Sequence, residues 1–150
     1  MRIAKKKPVQ DTGRRPAAGE RKAMRKRIVL SNTNALEVPG LRDLEASAIG
    51  DAEFENQVMG IPGPVVDQLR AVEAFKTNQG WGLFRRPAAL MRRDAIELSK
   101  AISSIQADNK TTLRRVITGE RASGKSTLLL QAMSMAFMKE WVVVNFPDGT

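Results

Sequence analysis

Eight consecutive residues constrain this chain more than any other feature: Gly119-Glu120-Arg121-Ala122-Ser123-Gly124-Lys125-Ser126, which fill every fixed position of G-x-x-x-x-G-K-[ST]. Glycine tolerates backbone angles that other residues avoid, so a bend bracketed by Gly119 and Gly124 can turn its main-chain N–H groups inward. Such donors form a concave nest for phosphate oxygens. A helix opening at Lys125 adds its positive dipole end. In that arrangement Lys125 sets an ammonium group against the β- and γ-phosphates, Ser126 offers its hydroxyl to Mg²⁺, and Thr127 donates on the α-phosphate side. The candidate nucleotide-binding residues are therefore Gly119, Glu120, Arg121, Ala122, Ser123, Gly124, Lys125, Ser126 and Thr127, with Ser126 the candidate Mg²⁺ ligand. Arg121 reads equally as a phosphate contact or a solvent-facing position.

An ordinary glycine turn capping a helix would carry similar letters, and the flanking pattern decides between the two. The phosphate-binding motif needs a strand before it and a helix after it. Leu113 to Thr118 predicts a short strand ending at Gly119. Lys125 to Lys139 predicts a helix that is apolar on nearly every side, through Leu128, Leu129, Leu130, Ala132, Met133, Met135, Ala136 and Phe137, and such a helix is buried on more than one face. Met133, Met135 and Met138 read as core filler. Trp141-Val142-Val143-Val144 is a continuous apolar run, the pattern of a strand buried on both faces of a parallel sheet. The last forty residues thus read as the first βαβ unit of an α/β, P-loop NTPase-like domain.

The preceding chain predicts helices and loops. A turn is expected at Ser31-Asn32-Thr33-Asn34 after the short apolar anchor Ile28-Val29-Leu30, and residues 35–63 read as loop. Pro64 suits the first position of a helix running to about Lys76, with Val65, Leu69, Val72 and Phe75 on one face. A second helix is expected from Ala88 to Ile105, carrying Met91, Ala95, Leu98, Ile102 and Ile105 on one stripe, and a turn at Asp108-Asn109-Lys110. Gly80-Trp81-Gly82-Leu83-Phe84-Arg85-Arg86-Pro87 mixes aromatics with arginines. It could stack on RNA, but reads better as a surface loop with Trp81 and Phe84 pinned into the core. Arg92-Arg93 reads as a solvated helix face. The organisation expected is a basic arm over 1–27, a loop and helical region over 28–110, and the P-loop unit over 111–150.

Charge is unevenly placed. Residues 1–30 hold eleven Lys or Arg against Asp11 and Glu20, a net +9 that equals the net charge of the whole chain. The remainder is neutral. A cationic arm of this kind, rich in Lys, Pro, Gly and Ala and expected to be disordered, suits contact with a phosphate backbone. It is acid-poor, as mitochondrial targeting segments are, but has no serine before Ser31 and carries Lys5-Lys6-Lys7-Pro8, so it matches them poorly. The chain has no cysteine and no histidine, which excludes disulfides, Cys or His metal sites and histidine-dependent catalytic triads. No apolar stretch is long enough to span a membrane.

The other parts of a nucleotide hydrolase are not legible. An acid at the end of a second strand and a group that orients water are both needed, whereas Asp148 lies beyond Pro147 in a turn. ATP and GTP are not separated by the chemistry. A doubly wound sheet needs more strands than the two legible here, so the P-loop domain is expected to be incomplete, as in a piece of a longer protein or a chain stable only in an assembly.

Three segments together resemble the death-associated protein 3 family of mitochondrial small ribosomal subunit proteins, in its filamentous-fungal form. They are Glu20 to Leu36, Gly80 to Pro87, and Gly119 to Thr127 followed by Trp141-Val142-Val143-Val144. The resemblance spans most of residues 20–150. It implies a P-loop domain related to the AAA+ and STAND groups, built into the mitochondrial ribosome, binding GTP or GDP with Mg²⁺ and contacting ribosomal RNA and neighbouring ribosomal proteins. By position, Gly119, Gly124, Lys125, Ser126 and Thr127 match the family's phosphate site. The family's Mg²⁺-binding acid, base-recognition region and C-terminal helical part have no counterpart here, so any hydrolysis is expected to be weak and confined to full-length members. The rival expectation is an AAA+-type ATPase acting on nucleic acid or protein.

Overall fold

The computed structural model describes residues 30–76, 79–107 and 112–146. The basic arm, the 108–110 turn and Asp148 lie outside them. Among the described residues the chain forms an α/β unit: strand β1 (Val58–Gly60), helix α1 (Gly63–Ala71), strand β2 (Ala88–Leu90), helix α2 (Arg93–Ala107) and helix α3 (Lys125–Met138).

The sheet was not legible in the sequence. Strands β1 and β2 pair antiparallel, with Val58 opposite Leu90, Met59 opposite Ala89 and Gly60 opposite Ala88. Pairing continues past the strand ends, where Asn56 N–H donates to Met91 O at 2.7 Å and Ile61 N–H donates to Pro87 O at 2.9 Å. Ala88 to Leu90 had been expected to open the second helix, but that helix starts only at Arg93, because the backbone before it is committed to this ladder. Three residues per strand are too few for a period-2 pattern to stand out. On the far side of β1, Gly60 exchanges hydrogen bonds of 2.8 Å with Arg42 O and Leu44 N. Gly60 lies so close to the paired side chains of Asp43 and Arg86 that an added Cβ would sit 3.0 Å from the Arg86 guanidinium carbon.

Helix α1 begins with Pro64 in its first turn, as expected, but ends at Ala71 rather than near Lys76. Glu73 takes a left-handed conformation (φ 57°). Its N–H donates to Arg70 O, and that of Ala74 donates to Leu69 O at 2.9 Å. This pair of reverse bonds satisfies carbonyls that a helix end leaves open. Phe75 is carried out of the helix to meet Trp81 edge-on, with ring centroids 5.2 Å apart. Such geometry suits the ring quadrupoles.

Helix α3 is the centre of the unit. One side, with Leu128 and Met135, packs into a core with α2, the β1–β2 pair and Leu44, Ile49 and Phe54. The other, with Leu130 and Met133, packs into a second core with α1, Leu30, Phe75 and Trp81. Two cores on one helix explain its near-uniform apolar sequence. Leu130 and Met135 are fully buried, and burial of each side chain contributes about 1.5–3 kcal/mol. Gln131 reaches out of the helix, donating to Leu90 O at 2.8 Å.

The stretches either side of α3 do not show the expected parallel sheet among the described residues. Residues 112–118 and 141–146 form no strands, and no ladder joins them. Trp141 and Val143 are half-buried against the two cores, and Asn145 Nδ2 donates to Val72 O at 2.8 Å. Val142, at 94% exposure, Val144 and Phe146 face outward. The run is therefore covered on one face, not two. A period-2 burial pattern is present, but the exposed face is as apolar as the covered one.

The end of α3 repeats the device that closes α1. Glu140 is left-handed (φ 60°), its N–H donates to Phe137 O and that of Trp141 donates to Ala136 O, both at 3.0 Å. A residue with a Cβ is strained in this conformation, whereas glycine is not. Glu140→Gly is therefore expected to stabilise the protein by about 1 kcal/mol, measured as a higher midpoint in urea unfolding.

Candidate functional site

The motif lies in a wound loop between the unpaired 112–118 stretch and the first turn of α3. Three of its backbones have positive φ: Gly119 (146°), Ala122 (65°) and Gly124 (88°). Ser123 N–H closes a turn on Glu120 O at 3.3 Å, and Leu128 N–H closes the first helical bond on Gly124 O at 2.9 Å. The N–H groups of the first turn of any helix lack intrahelical acceptors. Here they belong to Lys125, Ser126 and Thr127, at the loop's end. Alternation between right- and left-handed backbone is what gathers successive amides into an anion nest.

Lys125 lies across this loop. Its Nζ donates to Gly119 O at 2.9 Å, to Glu120 O, and to Ser123 Oγ at 3.3 Å. The ammonium is thus held at the loop's opening by three oxygens of the loop itself. Ser126 is exposed and Thr127 half-buried, both at the helix start, and Arg121 is exposed at the loop tip. Among the described residues no group of three or more carboxylates or imidazoles could hold a metal. A divalent cation here would be held by the Ser126 hydroxyl together with phosphate oxygens and water, a donor set that suits Mg²⁺.

One residue of this site was misread in the sequence. Arg92, taken as part of a solvated helix face, is half-buried just ahead of α2. Its guanidinium donates to Ser123 O at 3.0 Å. It also lies flat enough against Gly124 that a Cβ there would be 3.2 Å from one of its nitrogens. Nothing in the local letters distinguishes it from Arg93, which pairs with Glu97 one turn on. The Gly80–Pro87 stretch is a loop with one of its two aromatic residues in the core. Trp81 is buried, its indole N–H donating to Gln79 Oε1 at 2.9 Å. Phe84, expected in the core, is 57% exposed. Arg85 does not face outward freely: it donates to Thr33 O at 3.2 Å and pairs with Glu37. Asn32 binds the same loop through its backbone N–H to Phe84 O (2.9 Å) and its side chain to Gly82 O (3.1 Å).

The sequence profile of the family described as mitochondrial ribosomal death-associated protein 3 matches residues 89–150, the span from β2 through the wound loop and beyond α3. The small ribosomal subunit protein mS29 of Neurospora crassa is 51% identical over 145 residues, 97% of this chain. The chain belongs to the death-associated protein 3 family. It spans 31% of the length of that relative. The family is mitochondrial, and that is the compartment of this chain. Two of the segments that carry the resemblance, Glu20 to Leu36 and Gly80 to Pro87, are tied together where Asn32 and Arg85 bridge them.

The loop's dependence on glycine is testable. Gly124→Ala is expected to destabilise the protein by about 1–2 kcal/mol, from the left-handed backbone and the guanidinium stacked on it. Gly63→Ala, with open space around the position, is expected to cost nothing in the same urea titration.

Proposed function

We propose that this chain is a structural component of the mitochondrial small ribosomal subunit, and that residues 119–127 hold a guanine nucleotide with Mg²⁺ as a structural or regulatory ligand. The ribosomal part rests on the 51% identity to the mS29 protein. The nucleotide part rests on the loop: a full motif, three positive φ angles, and Lys125 over the mouth of a helix buried on two sides. Displacing Lys125 from Gly119 O and Glu120 O toward phosphate exchanges neutral acceptors for anionic ones, turning ion–dipole contacts into an ion pair.

The same reading extends to the fold. Segments 113–118 and 141–146 flank α3 as strands flank the helix of a P-loop NTPase-like, AAA+/STAND-related unit. The apolar face of Val142, Val144 and Phe146, together with exposed Val116, suits burial against further parts of a larger protein or its assembly. The +9 arm suits ribosomal RNA, since lysines and arginines release counterions from a phosphate backbone. A bound nucleotide stabilises the fold by mass action, about 4 kcal/mol at a thousandfold excess over Kd.

The test is Lys125→Ala in the full-length protein, with bound nucleotide released by denaturation and identified chromatographically. The wild type is expected to carry guanine nucleotide near one per chain. The variant is expected to lose most of it, and its small-subunit association, read by sedimentation, then reports whether the ligand is needed for assembly. Equal nucleotide content in the two proteins would overturn the assignment.

A further inference from the structure

We propose that Arg92 is a second cationic ligand of the polyphosphate, supplied to the loop from outside the motif by the chain just ahead of α2. The inference rests on the reading of residues 119–127 as a nucleotide site and adds a residue that the motif does not contain.

Four observations carry it. The guanidinium is against the loop, bonded to Ser123 O at 3.0 Å and packed on Gly124. Among the described residues it has no carboxylate partner, whereas Arg93 beside it pairs with Glu97. A guanidinium has five N–H donors in a planar fork matched to phosphate, and one protein acceptor leaves most of them unused. Its position is braced: Gln131, 2% exposed on α3, donates to Leu90 O two residues upstream, and Met91 between them is buried. The Arg92 carbonyl itself accepts the Ala95 and Ile96 N–H groups at 2.9 and 3.1 Å. The helix that begins with the phosphate loop therefore also fixes the backbone that presents the arginine.

Electrostatics gives the arrangement its sense. A partly buried guanidinium, the Lys125 ammonium and the positive end of α3 converge on one loop. Without an anion the three repel. A polyphosphate relieves all of them at once, and the guanidinium fork adds bidentate recognition of oxygens that a single ammonium cannot supply. Closeness of the guanidinium to the Gly124 backbone also gives that glycine a second reason to lack a side chain.

The test compares Arg92→Gln and Arg92→Lys with the wild type and with Lys125→Ala in the full-length protein. Mg·GDP affinity and the unfolding temperature of the nucleotide-free protein are both measured. Glutamine keeps a donor for Ser123 O and removes the charge. It is expected to weaken Mg·GDP by about tenfold to a hundredfold, with the nucleotide-free unfolding temperature unchanged or raised, and Arg92→Lys is expected to restore part of the affinity. Wild-type affinity in Arg92→Gln, with Lys125→Ala unable to bind, would overturn the role of Arg92 and leave the loop assignment standing. A lowered nucleotide-free unfolding temperature in Arg92→Gln would make Arg92 a structural prop and overturn the proposal. Failure of the wild type itself to bind would overturn both readings together.

Discussion

Burial of α3 on two opposite sides is the constraint on which the rest of the unit depends. Its Leu128–Met135 side closes one core and its Leu130–Met133 side closes another, so the helix can neither rotate nor slide without opening both. Because interiors are close-packed, such a helix is a fixed reference. The wound loop is attached directly to its first turn, and the helix start, the left-handed Gly124 and the Lys125 side chain inherit that rigidity. A phosphate cradle needs this, since its donors are backbone groups that cannot adjust one by one.

Around this helix the polar contacts act as cross-ties between segments distant in sequence. Gln131 fastens α3 to the end of β2, and Asn145 fastens the chain after α3 to the end of α1. Asn32 and Arg85 fasten the stretch after Leu30 to the Trp81 turn. Each uses a side-chain donor on a backbone carbonyl, the usual way of satisfying carbonyls outside regular structure. The result is that one-third of the length of the Neurospora relative holds two cores and a shaped loop.

Legibility in the sequence followed the length of the signal. The motif, the helix after it and its burial on several sides are readable because glycine spacing and a fourteen-residue helix with nine apolar residues are strong local patterns. Helix α1 was placed, but its end was not, because the left-handed turn is made by Glu73 rather than by the glycine or asparagine that would announce it. The β1–β2 ladder is not legible because its strands have three residues each and it is set by long-range pairing. Trp141–Val144 was read as buried on both faces, and only Trp141 and Val143 are covered. Arg92 was invisible for a different reason: its meaning lies in packing against residues thirty positions away, where neither periodicity nor charge pattern reaches. The family resemblance was carried by segments whose contact with one another no local rule would reveal.

We propose that a rigid helix start turns the main-chain amides of the loop toward an anion. Amide hydrogen exchange in the full-length protein, with and without Mg·GDP, measures this directly at the donors themselves. Slowed exchange over residues 119–127 is expected on adding Mg·GDP, with the β1–β2 pair unchanged. Exchange in 119–127 that is the same with and without nucleotide would contradict it.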